Sequence, residues 1–159
     1  MTLFEIITHP AASLRERSTE VDPATITTPE FQAYLDALVH TMLVKDGVGI
    51  ASPQVGRNIR VIVVNINDTI ECYINPEIIK ASEALQEGEE GCLSVPGVYG
   101  MVERHKRITV RAINRHGRRV ELDLRNFPAV VLQHEIDHLN GVLFIDKMKR
   151  TPSTSGSSL

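Results

Sequence analysis

Apolar side chains recur every three or four residues between positions 28 and 45, the spacing of one face of an α-helix. The positions are Phe31, Leu35, Leu38, Val39, Met42 and Leu43. Asp46 and Gly47 follow this segment as a stop signal. The pattern therefore predicts one amphipathic helix in the N-terminal half, with its apolar face packed on a core.

Other segments have the patterns of β-strands. The runs RVIVVNI (60–66) and CYIN (72–75) are rich in β-branched residues, which are favoured in strands. Apolar and polar residues also alternate on both sides of His116-Gly117, a turn-forming dipeptide. Residues 106–126 are therefore predicted to form a hairpin.

A second helix is predicted after this hairpin. Asn126 can cap its start, Pro128 suits its first turn and Asn140-Gly141 can end it. Its apolar positions are Val130, Val131, Ile136 and Leu139. One early helix, several short strands and a late helix indicate an α+β fold with largely antiparallel sheets.

The bulk composition indicates a single globular domain. The chain has 159 residues, of which 42% are hydrophobic and 23% are charged, which is enough for one core. We assign residues 1–148 to this domain. Residues 149–159 form a short polar tail, ending in TPSTSGSSL, that is predicted to be disordered.

The net charge of −3 provides no bulk field that would attract DNA or a membrane, although it leaves room for a local patch. The N-terminus lacks a secretory signal, and every apolar run is far shorter than the roughly 20 residues that span a bilayer. We therefore expect a cytoplasmic protein.

Cys72 and Cys92 are expected to be free thiols, with Cys72 as a small buried hydrophobe.

The segment QHEIDH, at 133–138, carries the candidate chemistry. On a helix, His134 and His138 fall on one face and can bind one metal ion through their imidazole nitrogens. Glu135 can then serve as a general base beside that ion. About 0.02 such HExxH matches are expected by chance in a chain with six histidines. The alternative is an ordinary polar helix face.

A metal site needs a third protein ligand, and no Glu, His or Cys follows His138. Phe144 stands where one class of zinc proteases has its third histidine. The best upstream candidate is Cys92, because a thiolate and two imidazoles bind a borderline divalent ion well. The rival candidates are His105, His116 and Asp123.

Three segments together resemble the motifs of the peptide deformylase family. GVGIASPQ (47–54) is similar to GxGLAAxQ, with Ile50 for Leu and Ser52 for Ala, and EGCLS (90–94) and QHEIDH (133–138) match the second and third motifs. The similarity extends from near the N-terminus to about residue 148. It implies antiparallel sheets packed around a central helix that carries HExxH.

The resemblance also implies a mechanism. The metal ligands would be Cys92, His134 and His138. Water on the ion's open position would attack the formyl carbonyl, with Glu135 as general base and then acid. The side-chain amide of Gln54 and the backbone N–H of Leu93 would stabilise the oxyanion. The expected ion is Fe2+, with Zn2+, Ni2+ or Co2+ as alternatives.

The implied substrates are N-formyl-methionyl peptides. Val48 and Val131 match positions that line an apolar pocket for the methionine side chain, although Val131 could equally be plain core. Gly49 would let the peptide lie against the backbone.

We expect a monomer. Many bacterial members continue into a C-terminal helix implicated in ribosome docking; this sequence ends without one, so ribosome association by that route is not expected.

Two further questions stay open at the level of sequence. Glu90, Arg104 and Asp137 either orient the metal ligands or form surface ion pairs, and Gln54 could be an exposed loop amide. The rival functions are an HExxH peptidase of another specificity and a non-catalytic relative that binds peptides or stores metal. The upstream cysteine in EGCLS favours the deformylase hypothesis over the first rival.

Overall fold

A computed structural model describes residues 2–149. The helices are α1 (Pro29–Val44) and α2 (Phe127–Leu139). The strands are β1 (Gly49–Ala51), β2 (Val61–Ile66), β3 (Thr69–Ala81), β4 (Leu85–Cys92), β5 (Val95–His105), β6 (Arg107–Asn114) and β7 (Arg119–Arg125). The tail that was predicted to be disordered lies, from residue 150 onward, outside the described residues.

The strands form two antiparallel sheets. The larger sheet has five strands in the order β1-β2-β3-β6-β7, and the smaller one is the pair β4-β5. Ile62 of β2 points to a core shared with α2, while Val61 and Val63 point to a second core shared with α1. Strand β2 is thus buried on both faces, which explains its continuous apolar run. The predicted α+β fold is confirmed.

Helix α1 begins and ends close to the predicted positions. The Thr28 hydroxyl accepts a hydrogen bond from the backbone N–H of Phe31 at 3.3 Å, and Pro29 occupies the first helical position. Asp46 adopts a φ of 58°, which turns the chain away from the helix. Cys72 lies in the core under α1, and burial raises the pKa of its thiol to about 11.

Helix α2 packs on the inner face of the five-stranded sheet. Its apolar residues Leu132, Ile136 and Leu139 join Ile108 and Val110 of β6 in one core. Asn126 stands at the N-cap position, but its side chain makes no capping hydrogen bond and its φ is 59°. Within residues 2–149, neither helix is long and apolar enough to cross a bilayer.

Three features were not predicted from the sequence. The hairpin β4-β5 is long and polar, and β3 extends well beyond the predicted strand at 72–75. The chain after α2 also returns to this hairpin, where Met148 pairs with Val102 and the Lys149 N–H donates to the Met101 carbonyl at 2.8 Å. Met148 lies over Gly100, where a Cβ would come within 2.2 Å of its sulfur.

Gly141→Ala should strongly destabilise the fold. Gly141 follows α2 with a φ of +74°, and a Cβ there would lie 2.2 Å from the backbone oxygen of Arg15. Left-handed strain alone costs about 1–2 kcal/mol, and the backbone clash adds to it. We expect urea unfolding to show a loss of at least about 3 kcal/mol.

Gly97→Ala is the matched control. Gly97 has a φ of +77° but no atom within 4 Å of an added Cβ, so only the strain of about 1–2 kcal/mol is expected. Equal losses in the two variants would contradict the close approach of Gly141 to Arg15.

Candidate metal centre

Helix α2 presents its two motif histidines on one buried face. His134 and His138 are 2% and 1% exposed, and their ring centroids are 5.1 Å apart. Cys92 ends strand β4 opposite this face, with its Sγ 3.3 Å from the Nε2 of His138. One nitrogen from each histidine and the Cys92 sulfur all lie within 4.8 Å of one another. The fold therefore brings together the three predicted ligands.

The rival ligands are engaged elsewhere. His105 is exposed, with its Nδ1 2.7 Å from the Ser82 carbonyl oxygen, and Asp123 is paired with Arg107. His116 is exposed at the turn between β6 and β7. None of them joins the cluster that Cys92 forms with the two histidines.

The polar atoms of this cluster fit a divalent cation. The Nε2 of His134 is buried and has no hydrogen-bond partner among residues 2–149. Burial lowers the pKa of His134, but the nearby Cys92 thiol and the hydrogen bond with Glu90 outweigh it and raise the pKa to about 10. Burial lowers the pKa of His138 well below its ordinary value, which favours the neutral ring that binds metal. The metal-free pocket thus stabilises a positive charge at His134, next to the neutral ring of His138.

A buried chain of ion pairs contacts the Nδ1 side of the His134 ring. The Nδ1 of His134 lies 2.9 Å from Glu90 Oε1, and Arg104 donates to both Glu90 oxygens at 2.9 and 2.8 Å. Arg104 also donates to Asp137 Oδ2 at 2.5 Å. Because Glu90 and Arg104 are only 2% and 3% exposed, the surface-ion-pair alternative is wrong. This chain fixes the orientation of the His134 ring.

Glu135 lies fully buried next to His134. Neither of its carboxylate oxygens has a hydrogen-bond partner within the described residues. Burial, aided by the negative charge of Glu90, raises the pKa of Glu135 to about 7. A Cβ at Gly49 would lie 2.5 Å from Glu135 Oε2, so the first motif needs glycine here to make room for the carboxylate.

Gln54 is fully buried beside Cys92, so the exposed-amide alternative is wrong. Its Oε1 accepts from the Ala51 N–H at 2.9 Å, and its Nε2 donates to Ser94 Oγ at 3.0 Å. The same Nε2 lies 3.6 Å from Cys92 Sγ. The Leu93 side chain lies against the first-motif loop, with Cδ1 3.1 Å from where a Cβ on Gly47 would be. The role of the Leu93 N–H stays a prediction.

The residues predicted to bind substrate occupy different environments. Val131 is fully buried in the α2 core, while Val48 is partly buried against that core. A cavity of about 160 Å3 opens between β4 and the start of α2, with Gly88, Phe127 and Val130 on its wall. From the sequence, Val130 was predicted only as an apolar position of the second helix and Phe127 was not singled out, although both precede His134 at helical spacings, four and seven residues away.

Phe144 was also missed as a contributor to the site. Its ring stacks against His134 with centroids 6.2 Å apart and an interplanar angle of 25°. It is 1% exposed and packs in the same apolar cluster as Cys92. The sequence pattern indicated only that a histidine was missing at this position; in the structure, the phenyl ring holds a ligand in place.

A buried HExxH helix with an upstream cysteine as third ligand defines a metal-dependent hydrolase. The sequence profile of the polypeptide deformylase family matches residues 3–153, nearly the whole chain. This chain belongs to the peptide deformylase family. Enzymes of this family are metal-dependent and remove the formyl group from nascent peptides.

Known members are similar in sequence and in structure. The peptide deformylase of Fusobacterium nucleatum is 47% identical over 136 residues, which cover 85% of this chain and 78% of that protein. The Thermotoga maritima enzyme has a TM-score of 0.90 at 37% identity, covering 94% of this chain and 100% of that one. An Acinetobacter baumannii peptide deformylase, solved with Met-Ala-Ser bound, has a TM-score of 0.89 at 34% identity, covering 92% and 99%.

Glu90→Gln tests the buried ionic chain through the pH dependence of stability. Burial raises the pKa of Glu90, but hydrogen bonds from Arg104 and His134 outweigh it and lower the pKa from 4.5 to about 2. The folded protein therefore gains stability above pH 4.5 that is lost as the pH falls through 2. We expect the variant to lose at least about 3 kcal/mol at pH 7, with a shallower decline between pH 4.5 and 2.

Urea unfolding of the metal-free proteins at a series of pH values measures this. Glu89→Gln is the control, since Glu89 is the exposed neighbour on the same strand. Parallel stability curves for wild type and Glu90→Gln would contradict the assigned role of the ion pair.

Proposed function

We propose that Glu135 is the general base and acid for removal of the formyl group. The observation that supports this most directly is the buried carboxylate of Glu135, which has no hydrogen-bond partner in the described part of the chain and a pKa raised to about 7. A carboxylate with a pKa near the working pH can both accept and return a proton. Glu135 takes a proton from the attacking water and delivers it to the leaving amine of the peptide.

Cys92, His134 and His138 are proposed to hold one ion in this centre. A bound divalent ion supplies a Lewis acid that polarises the formyl carbonyl and acidifies water. The chain's own donors then stabilise the oxyanion: the Gln54 amide and the backbone N–H of Leu93. Gln54 suits this role because hydrogen bonds to Ala51 and Ser94 fix its amide before substrate arrives.

The proposed substrate site lies along the first motif and the start of α2. Gly49 keeps the backbone open beside Glu135. We assign Val48 and Val131, which pack in the α2 core, to the apolar side of this site. The cavity lined by Phe127 and Val130 is next to Glu90, which contacts His134. The apolar methionine side chain of an N-formyl-methionyl peptide fits such a cavity. A related enzyme with bound Met-Ala-Ser supports this substrate class.

We further propose Fe2+ as the physiological ion, in a monomeric protein of the cytoplasm. A thiolate with two imidazoles suits Fe2+, and it also suits Zn2+, Ni2+ and Co2+. Residues 1–148 are proposed to form the one catalytic domain, because all three motifs share the cores of the described fold.

Glu135→Gln should reduce turnover of formyl-Met-Ala-Ser by at least about 100-fold, the usual contribution of a general base. Metal content should stay at the wild-type level, because Glu135 is not one of the clustered ligands. Glu30→Gln is the control and should keep its activity within about twofold, because Glu30 is exposed in the first turn of α1, outside the cavity at the start of α2.

Formate release measures the reaction, and unformylated Met-Ala-Ser should release no amino acid. Cleavage of that unformylated peptide would favour the rival peptidase. Full activity of Glu135→Gln would refute the proposed base.

The metal proposal predicts a difference in oxygen sensitivity. Protein loaded anaerobically with Fe2+ should lose deformylase activity in air faster than protein loaded with Ni2+, because iron beside a cysteine thiolate promotes oxidation. Activity measured at intervals after exposure to air tests this, with anaerobic samples as controls. Equal decay of the two forms would contradict it.

A further inference from the structure

Positive charge is concentrated in one hairpin of this acidic protein. Residues 106–125 contain seven Lys or Arg and two acidic residues, a net charge of +5. The whole chain has 17 basic and 20 acidic residues, so the remainder has ten and eighteen, a net charge of −8. The overall charge of −3 therefore conceals a local patch of opposite sign.

Most of these charges share one surface. Ile108, Val110 and Ala112 of β6 point into the α2 core, so the alternate residues of β6 and β7 point outward. With the exposed strand ends and one lysine of β3, these side chains form what we call the basic face. Its members are Lys80, Lys106, Arg107, Arg111, Arg118, Arg119 and Arg125, all of them exposed. The face is roughly 20 Å long, from the strand length.

Most of the positive charge on this face is uncompensated. Arg107 pairs with Asp123, and Arg111 lies 4.0 Å from Glu121. The other five cations have no acidic partner within 4.0 Å among residues 2–149: Lys80, Lys106, Arg118, Arg119 and Arg125. Three acidic residues share this surface: Glu121, Asp123 and Glu77, which lies opposite Arg111 in the sheet. The seven cations and these three acids leave a net charge of +4.

The face also contains a polar concavity. A cavity of about 230 Å3 lies where β3 meets β6 and β7, with Lys80, Ser82, Arg107 and Thr109 on its wall. Asp123 forms part of the same wall and is held by Arg107. The Ser82 hydroxyl donates to the Ala84 carbonyl and Arg107 is held by Asp123, so Lys80 and the Thr109 hydroxyl are the groups that this concavity offers to a phosphate.

We propose that the basic face binds the phosphate backbone of double-helical RNA. Five of its seven cations are arginines, whose planar guanidinium groups bind phosphate in a bidentate manner. None of the large, exposed apolar side chains of residues 2–149 lies in 106–125, whereas a membrane-binding face would insert such groups. RNA is favoured because nascent peptides, the family's substrates, are made on an RNA-rich particle.

One end of the basic face lies next to the proposed substrate site. The side-chain amide of Gln86 donates to the backbone oxygens of His105 and Asn126, at 3.1 and 3.2 Å. Gln86 also lines the cavity at the start of α2. Because Lys106 and Arg125 directly adjoin those two residues in sequence, RNA bound there would lie beside the substrate cavity. This relation rests on the proposed substrate site, while RNA binding itself does not.

The test is binding of a fluorescent 16-base-pair RNA duplex to the metal-loaded protein, measured by polarisation from 50 to 200 mM KCl. Wild type should bind with an affinity that falls as salt rises, since phosphate contacts release counterions. Arg118→Glu/Arg125→Glu reverses one charge near each end of the face and should weaken binding at least about tenfold.

Arg17→Glu/Lys45→Glu is the control, because it changes the net charge equally at exposed positions outside the face. It should bind RNA within about threefold of wild type. Both double variants should keep wild-type turnover of formyl-Met-Ala-Ser, which separates this proposal from the catalytic one. If the first double variant unfolds, Arg118→Gln and Arg125→Gln carry the test, with losses of about threefold each.

Three results would overturn the proposal. The first is the absence of RNA binding by wild type at 50 mM KCl. The second is an equal loss of binding in the control variant, which would indicate a general charge effect. The third is binding to vesicles of anionic lipid without binding to RNA, which would identify a membrane surface instead.

Discussion

The metal centre depends on burying one arginine between two carboxylates. Arg104 belongs to β5, Glu90 to β4 and Asp137 to α2, and Arg104 contacts both acids at 2.5–2.9 Å. A buried charge without a partner is costly, so this arginine is satisfied only when the hairpin docks on the helix. The same docking brings Cys92 within 3.3 Å of His138. Docking of the β4-β5 hairpin on α2 therefore forms the ionic chain and the ligand set together.

Close packing then fixes the side chains around the metal-binding cluster. Phe144 stacks on one side of His134, while Glu90 holds the Nδ1 of that ring. Gly49 leaves space for the carboxylate of Glu135. These contacts set geometry without touching the reacting atoms, and they explain why the motif's spacing alone does not make a catalytic site.

The sequence predicted the features that depend on local spacing. His134, Glu135 and His138 share a helix, and His116-Gly117 forms the hairpin turn, because period and turn chemistry act over a few residues. Features that depend on distant partners were not predictable in this way. Hairpin β4-β5 is polar along β4, and the run at 103–107 resembles solvated surface although Arg104 is buried. The partners that make that burial favourable are distant in sequence: Glu90 lies 14 residues earlier and Asp137 lies 33 residues later.

The basic face and the metal centre lie on opposite sides of the same sheet layer. Ile108 and Val110 form the apolar layer between them and pack against α2. Charge on the outer face is therefore poorly placed to alter the reacting groups, which the buried chain of Glu90 and Arg104 already controls. The RNA binding proposed for the basic face would act on encounter instead, because a protein held near its peptide substrate meets the formyl group at a raised effective concentration. Such binding energy is not part of transition-state stabilisation, so the face can contribute to substrate capture while the centre alone determines the rate of chemistry.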